Sequence, residues 1–533
     1  MALACAWSIG LRGVDGEVVE IEADIGQGLP GVSLVGLPDA ALAESRDRVR
    51  AAVVNSGETW PARRITLALS PATLPKQGSG YDMALACSVL AAAKAVPVAA
   101  LRGVVLLGEL ALDGRVRGVR GVLPALLAAR RLGVEQAVVP AAAAVEAGLV
   151  DGLEVLGAEH LSDVLAWLRG ERGRLRPVRP GTAPPHGGPR EDLADVVGQR
   201  AARRAVEVAA AGGHHLLMVG PPGSGKTMLA RRMTGLLPDL DGDAALQVAA
   251  VRSLAGATDP QEALPASPPF VAPHHSVSSA ALVGGGSGLA RPGAVSLAHR
   301  GVLFLDEIYE FGPHVLEMLR TPLEEGEVRL ARTDGVVRYP ARFQLVMAAN
   351  PCPCAPPRPT DCRCTSLEKR RYQLRLSGPM LDRVDLQVTL RAVEELRWVG
   401  GPAAELEETP EDTASVRSRV LAARAAARER WRDAGWRTNA EVPGPELRRR
   451  SRLSVEAAAV LERQMRSGAM TARGADRALR VGWTIADLRG APGPETADIE
   501  EAVAYKGFVT ESGPEQAADA LDPVVAANDE DVA

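Results

Sequence analysis

The chain has 533 residues, 46% hydrophobic and 24% charged, which is too long for one core and ordinary for a soluble globular protein; roughly two to four domains are expected. No apolar run is long enough for a membrane-spanning helix and the N-terminus lacks a basic-then-apolar secretory pattern, so a helical membrane protein is not expected and a cytoplasmic location is. The net charge of −5 is unevenly spread: residues 414–483 hold sixteen Arg, no Lys and seven acidic residues, and 511–533 hold seven acidic and no basic ones. Such a basic stretch is either a set of solvated helix faces or a surface near polyanions, and the count does not choose between them.

Residues 1–168 alternate Val/Leu-rich strands with Ala-rich helices and form a first α/β domain. Within it, Pro75-Lys-Gln-Gly-Ser-Gly-Tyr-Asp-Met83 and the Gly-rich segment 108–121 resemble the proteolytic domain of Lon, which implies a ribosomal-S5-like fold. Lon-type proteolysis needs a Ser nucleophile beside a Lys base. Here Leu123 occupies the Lys position and Ser79 lies one residue off the nucleophile position, so a scaffold or DNA-contact role is expected in place of peptidase activity.

A Pro/Gly/Arg-rich linker, 169–192, leads to a second region, 193–399, in which short apolar strands alternate with helical segments, the pattern of a parallel sheet with crossover helices. The strand Leu216-Leu-Met-Val219 runs into Gly220, Pro221, Pro222, Gly223, Ser224, Gly225, Lys226 and Thr227, a complete phosphate-binding loop that opens a helix. Its N–H groups suit phosphate oxygens, Lys226 supplies charge to the β/γ-phosphates, and Thr227 supplies a hydroxyl ligand for magnesium. A second apolar strand, 302–305, ends in Asp306 and Glu307, a Walker B pattern in which Asp306 holds Mg²⁺ and Glu307 polarises the attacking water. Asn350 ends the strand 343–349 and can hold that water from the other side. Cys352, Cys354, Cys362 and Cys364 follow as C-x-C, seven residues, C-x-C, a spacing that suits a structural zinc site in a reducing compartment. Arg383 lies in a tight polar turn between apolar segments. After a second linker, 400–413, residues 414–510 read as all-helical, with Arg473 at the start of an amphipathic helix from which it could reach the nucleotide; the tail 511–533 reads as disordered.

The segments Asp195-Val-Val-Gly-Gln199, Gly220–Thr227, Ala272-Pro-His-His-Ser-Val-Ser278, Leu303–Glu307, Ala348-Ala-Asn-Pro-Cys-Pro-Cys354 and Gly378-Pro-Met-Leu-Asp-Arg-Val-Asp-Leu386 resemble the magnesium-chelatase-like branch of AAA+ proteins, and the chain over 1–510 resembles the ComM/YifB family. The resemblance implies ATP and Mg²⁺ as ligands, Arg383 as an arginine finger offered to a neighbouring subunit, and Arg473 as the sensor 2 arginine of a helical lid. It implies a pore insert at 281–292 and a hairpin at 328–338 that carries Arg332 to DNA. The implied function is a homohexameric DNA helicase promoting branch migration in recombination or natural transformation. The alternatives are a metal-insertion ATPase like magnesium chelatase, expected to lack the Lon-like N-terminal region, or a chaperone/protease relative without active peptidase.

Overall fold

The computed structural model describes residues 2–36, 39–76, 78–179, 191–258, 264–286, 290–332, 335–356, 359–391 and 410–507. The tail 511–533, most of the linker 400–413, the middle of the linker 169–192, and parts of the insert and hairpin turn lie outside the described residues.

The N-terminal region opens with two long strands, Ala2–Arg12 and Asp15–Gly26, paired antiparallel in strict register. Their pattern of inward apolar and outward charged residues (Val19, Ile21 and Ala23 buried, Glu20 and Glu22 exposed) is that of a sheet with one covered face. These strands are central in a mixed sheet of eight strands. The helix Asp82–Ala92, every residue of which is buried, packs against the covered face. Arg48 neutralises the buried Asp82 at the start of that helix through a 2.6 Å bond.

The second region builds a five-stranded, wholly parallel sheet in the order Phe270–Val271, Val302–Leu305, Gln344–Ala349, Leu216–Val219, Leu386–Thr389. Strands covered on both faces must be continuously apolar, and every residue from Val302 to Leu305 and from Gln344 to Ala349 is buried. The strand that enters the phosphate loop lies between the strands ending in Ala349 and Thr389, which brings the loop next to Asn350. A separate hairpin, Glu327–Arg332 with Gly335–Pro340, and a small ladder pairing Gly284–Gly285 with Arg291–Pro292 stand outside this sheet.

The third region is helical: Thr413–Arg430, Gly444–Arg450, Val455–Arg466, Ala472–Leu488 and Thr496–Ala504. Val416, Val420, Val481, Ile485 and Tyr505 join the core formed by the helix Arg200–Gly212 and the central sheet. Most of the arginines that make 414–483 basic are held by carboxylates or carbonyls. Arg419 pairs with Glu207 and Glu411, Arg430 with Asp487, Arg448 with Asp476, Arg449 and Arg450 with Glu446, and Arg424 donates to Ala210 O. The stretch is therefore largely an internal ion-pair lattice, and its charge count overstates the positive surface it offers.

The N-terminal region seats on the second at two places. Gly121 N–H donates to the Ser253 carbonyl at 3.2 Å, and Ala249 and Ala250 pack into the cluster of Leu126, Ala137 and Val139. The turn between the first two strands meets the hairpin: a Cβ on Gly13 (φ 66°) would lie 2.2 Å from Arg338 O, so only glycine allows this approach.

Candidate functional site

The helix that follows the phosphate loop, Lys226–Leu236, starts from Gly225 at φ 92°, with Gly223 at φ 75° two residues earlier; both conformations favour glycine. Gln199 pins the loop from outside, its Nε2 donating to Ser224 O at 3.3 Å and Arg391 O at 2.7 Å. The Ser224 hydroxyl is buried close against Gly220 and has no hydrogen-bond partner among the described residues.

Lys226 is buried, and its ammonium is held by Gly220 O at 2.6 Å, Pro221 O at 2.9 Å and Asn350 Oδ1 at 3.3 Å. Burial pushes its pKa down, against the opposing fields of Asp306 and Glu307. Thr227 Oγ1 donates to Asp306 Oδ2 at 2.9 Å, so the hydroxyl and carboxylate suited to share a magnesium ion are already adjacent. Glu307 follows in a left-handed backbone conformation, φ 52°, and its carboxylate lies 3.2 Å from His275 Nδ1. The structure thus gathers Lys226, Thr227, Asp306, Glu307 and Asn350 at the C-terminal ends of three adjacent strands.

Arg383 and Arg473 sit elsewhere. Both line a cleft with His215, Leu323, Glu324, Asp382 and Arg477. His215 precedes the strand whose far end feeds the phosphate loop, so this cleft lies across the sheet from Lys226. The sequence suggests that Arg473 reaches its own chain's nucleotide; the fold instead places it beside Arg383. Arg383 is nearly buried, donating to Pro379 O at 2.6 Å and to the Glu324 carboxylate, while its Nε has no partner among the described residues. Burial, and then the nearby Arg320, Arg477 and Arg473, pushes its pKa down. A cluster of guanidinium groups this incompletely neutralised is complementary to an anion.

Buried ionic contacts fix the helical region to this end of the sheet. Arg477 bonds Asp385 Oδ1 and Arg383 O, each at 2.8 Å, and Lys506 donates to Val384 O at 2.7 Å. Burial opposes ionisation of Asp385, but Arg477 and His214 outweigh it and hold its carboxyl well below the usual range. The neighbouring His215 accepts from Leu345 N–H at 3.0 Å through Nδ1, so its ring is neutral, and burial lowers its pKa from 6.5 to about 4. Between those values the unfolded chain binds a proton that the folded one does not, so stability rises with pH from about 4 to 6.5 and falls on acidification. His215→Gln is expected to remove its share of that slope in a urea-midpoint profile, up to about 3 kcal/mol, while the buried His299, whose pKa is lowered to about 3, keeps the profile rising over the same range.

Arg332 ends the first strand of the hairpin, where its Nη2 donates to Gly286 O of the insert at 2.5 Å, so hairpin and insert are joined. The four cysteine sulfurs 352, 354, 362 and 364 lie within 4.8 Å of one another. In the N-terminal region Ser79 Oγ donates to the Glu109 carboxylate, Lys76 is buried against Pro71 O, and Leu123 is fully buried; among the described residues Ser79 has no Lys partner. Residues that sequence reasoning left without a role are Gln199, His275, Glu324 and Arg477. The first two fall within quoted motifs, whereas for Glu324 and Arg477 the sequence carries no local signal.

A parallel sheet in this order, a phosphate loop beside an acidic strand end, and a helical region packed on the far side define a magnesium-chelatase-like AAA+ ATPase. Family profiles agree: "Magnesium chelatase, subunit ChlI" matches residues 192–397, "Subunit ChlI of Mg-chelatase" residues 21–143, and "Magnesium chelatase, subunit ChlI C-terminal" residues 410–506. The chain belongs to the YifB/ComM family. It is 41% identical to YifB of Escherichia coli over 511 residues (95% of this chain, 98% of that protein) and 40% identical to competence protein ComM of Haemophilus influenzae over 516 residues (96% and 98%). A Mycobacterium tuberculosis protein is 58% identical over 506 residues, covering 95% of this chain and 99% of that one. A stretch of 173 residues is also 30% identical to the Lon protease of Mycolicibacterium smegmatis, covering 30% of this chain and 22% of that protein. The N-terminal region was expected to set the chain apart from magnesium chelatase, yet the profile over 21–143 carries that name, so it does not make the distinction. No helix among the described residues is long and apolar enough to cross a membrane.

Proposed function

We propose that this protein hydrolyses ATP within a homohexameric ring in the cytoplasm and uses the energy to move on DNA, as a helicase promoting branch migration of recombination intermediates. Its working units are 1–168, 193–399 and 414–510. The observation that carries the motor reading is the separation of the two half-sites. Lys226 and its partners lie at one edge of the sheet and the arginine cleft at the other, so one chain's arginines complete a site only by facing the next chain's phosphates. Heterologous contacts of this kind close into rings. The DNA reading is supported by end-to-end likeness to a protein named for competence and by the joined hairpin and insert at Arg332.

In this reading the loop N–H groups and Lys226 bind the phosphates. Thr227 and Asp306 hold magnesium, which neutralises charge on the phosphate oxygens when bound. Glu307 takes the proton of the attacking water and Asn350 orients that water. Arg383 and Arg473 of the adjoining subunit meet the charge that develops on the transferring phosphoryl group. Zinc in the cysteine loop would be structural, away from the phosphates.

The test is ATP turnover with and without single-stranded, forked and four-way DNA. We expect stimulation of about tenfold or more, with DNA binding that weakens steeply as salt rises. Turnover that no DNA changes, together with no salt-sensitive binding, would leave an ATPase and remove the helicase reading in favour of metal insertion or protein remodelling.

A further inference from the structure

Asn350 is the last polar group before the chain leaves the central sheet, and its side chain is 3.3 Å from Lys226 Nζ. Two residues later the buried Cys352 begins the cysteine cluster. Its sulfur lies 3.4 Å from Cys354 Sγ and 3.6 Å from Cys362 Sγ, with Cys354 and Cys362 3.7 Å apart. A disulfide would hold two sulfurs about 2.05 Å apart. Four thiolates around one zinc at about 2.3 Å form a tetrahedron with edges of about 3.8 Å, close to the spacing observed. On a [4Fe–4S] cluster each thiolate holds a different iron, and on a [2Fe–2S] cluster two thiolates share each iron with the two pairs set apart, so four sulfurs this close together fit a single ion. The loop is closed by its backbone, Ala355 N–H donating to the Cys352 carbonyl at 3.1 Å. Ala355 makes the turn possible in the left-handed region, φ 43°.

We propose that the four cysteines hold one zinc ion and that this ion is a clamp on catalysis: it fixes the exit of the sensor strand so that Asn350 is held in place over the phosphate site. Binding exchanges the thiol protons, up to four, for one Zn²⁺; four Zn–S bonds form, the protons pass to solvent, and nothing is oxidised or reduced. The cysteines are positioning residues, and metal loss lowers hydrolysis while leaving nucleotide binding in place, because Lys226 keeps its shorter bonds to Gly220 O and Pro221 O when Asn350 shifts. The proposal rests on the reading of Asn350 as the group that orients the water.

The experiment uses the purified full-length chain. Elemental analysis is expected to give about one zinc per chain, and cobalt exchange to give the intense thiolate-to-metal absorption of a four-sulfur site. Iron at the same stoichiometry, or no metal with all four thiols freely reactive, would overturn the zinc site. Cys362→Ser/Cys364→Ser is then compared with the parent: ATP turnover should fall by about 10- to 100-fold while affinity for a fluorescent ATP analogue changes by less than about threefold. If that variant does not fold, an organomercurial titrated into the native chain releases the zinc stepwise, with analogue binding as the check on integrity. Turnover that persists after zinc has left would overturn the clamp, whatever the metal content. A parent chain that binds zinc but never turns over ATP would contradict the ATPase reading and leave the metal site standing.

Discussion

Lys226→Ala is expected to lower ATP turnover by about a thousandfold or more, equivalent to at least about 4 kcal/mol of transition-state stabilisation. The ammonium is buried, held by two loop carbonyls and Asn350, and its pKa is already lowered by desolvation, so it is a charge kept out of water to be used on an anion. Removing it also leaves Gly220 O and Pro221 O without their donor, so nucleotide affinity should fall too. Equilibrium binding of a fluorescent ATP analogue, measured beside steady-state turnover, checks both. Glu307→Gln should behave differently. It keeps the shape and the neighbouring Asp306–Thr227 contact but cannot take a proton, so binding should hold while turnover falls by about 10²- to 10⁴-fold.

Arg383→Ala should have an effect of comparable size, about 10³- to 10⁵-fold in turnover, with ATP affinity within about threefold of the parent. The asymmetry follows from position: Arg383 lines a cleft beyond its own chain's Lys226, so its loss leaves that chain's phosphate loop intact. In the free chain the guanidinium is committed to Glu324 and Pro379 O. In the proposed ring a neighbour's phosphates compete with that carboxylate, and Glu324→Gln should ease the exchange and raise basal turnover by a few-fold.

Much of this was legible because it is local. The phosphate loop, the acidic strand end and Asn350 each follow an apolar strand, and parallel strands place their C-terminal ends together; once the strands are recognised, their convergence follows. The arginines were legible as residues but not as places. A helix periodicity shows that Arg473 starts an amphipathic helix, yet which end of the sheet that helix meets is set by Arg477–Asp385 and Lys506–Val384, contacts between residues far apart in sequence. The basic composition of 414–483 misleads for the same reason, since the partners of Arg419, Arg424 and Arg430 are distant in sequence or on other helices. The hold of His275 on Glu307 could have been suspected from the paired histidines of the 272–278 motif, but only the fold shows which carboxylate they face.

In the proposed ring one chain carries halves of two different catalytic sites. Mixing Lys226→Ala with Arg383→Ala, each nearly inactive alone, puts this to the test. In a randomly mixed ring about one interface in four joins an intact loop to an intact arginine, so turnover should recover to about a quarter of the parent value. Mixed rings that assemble, shown by native mass spectrometry, and yet recover no turnover would contradict it.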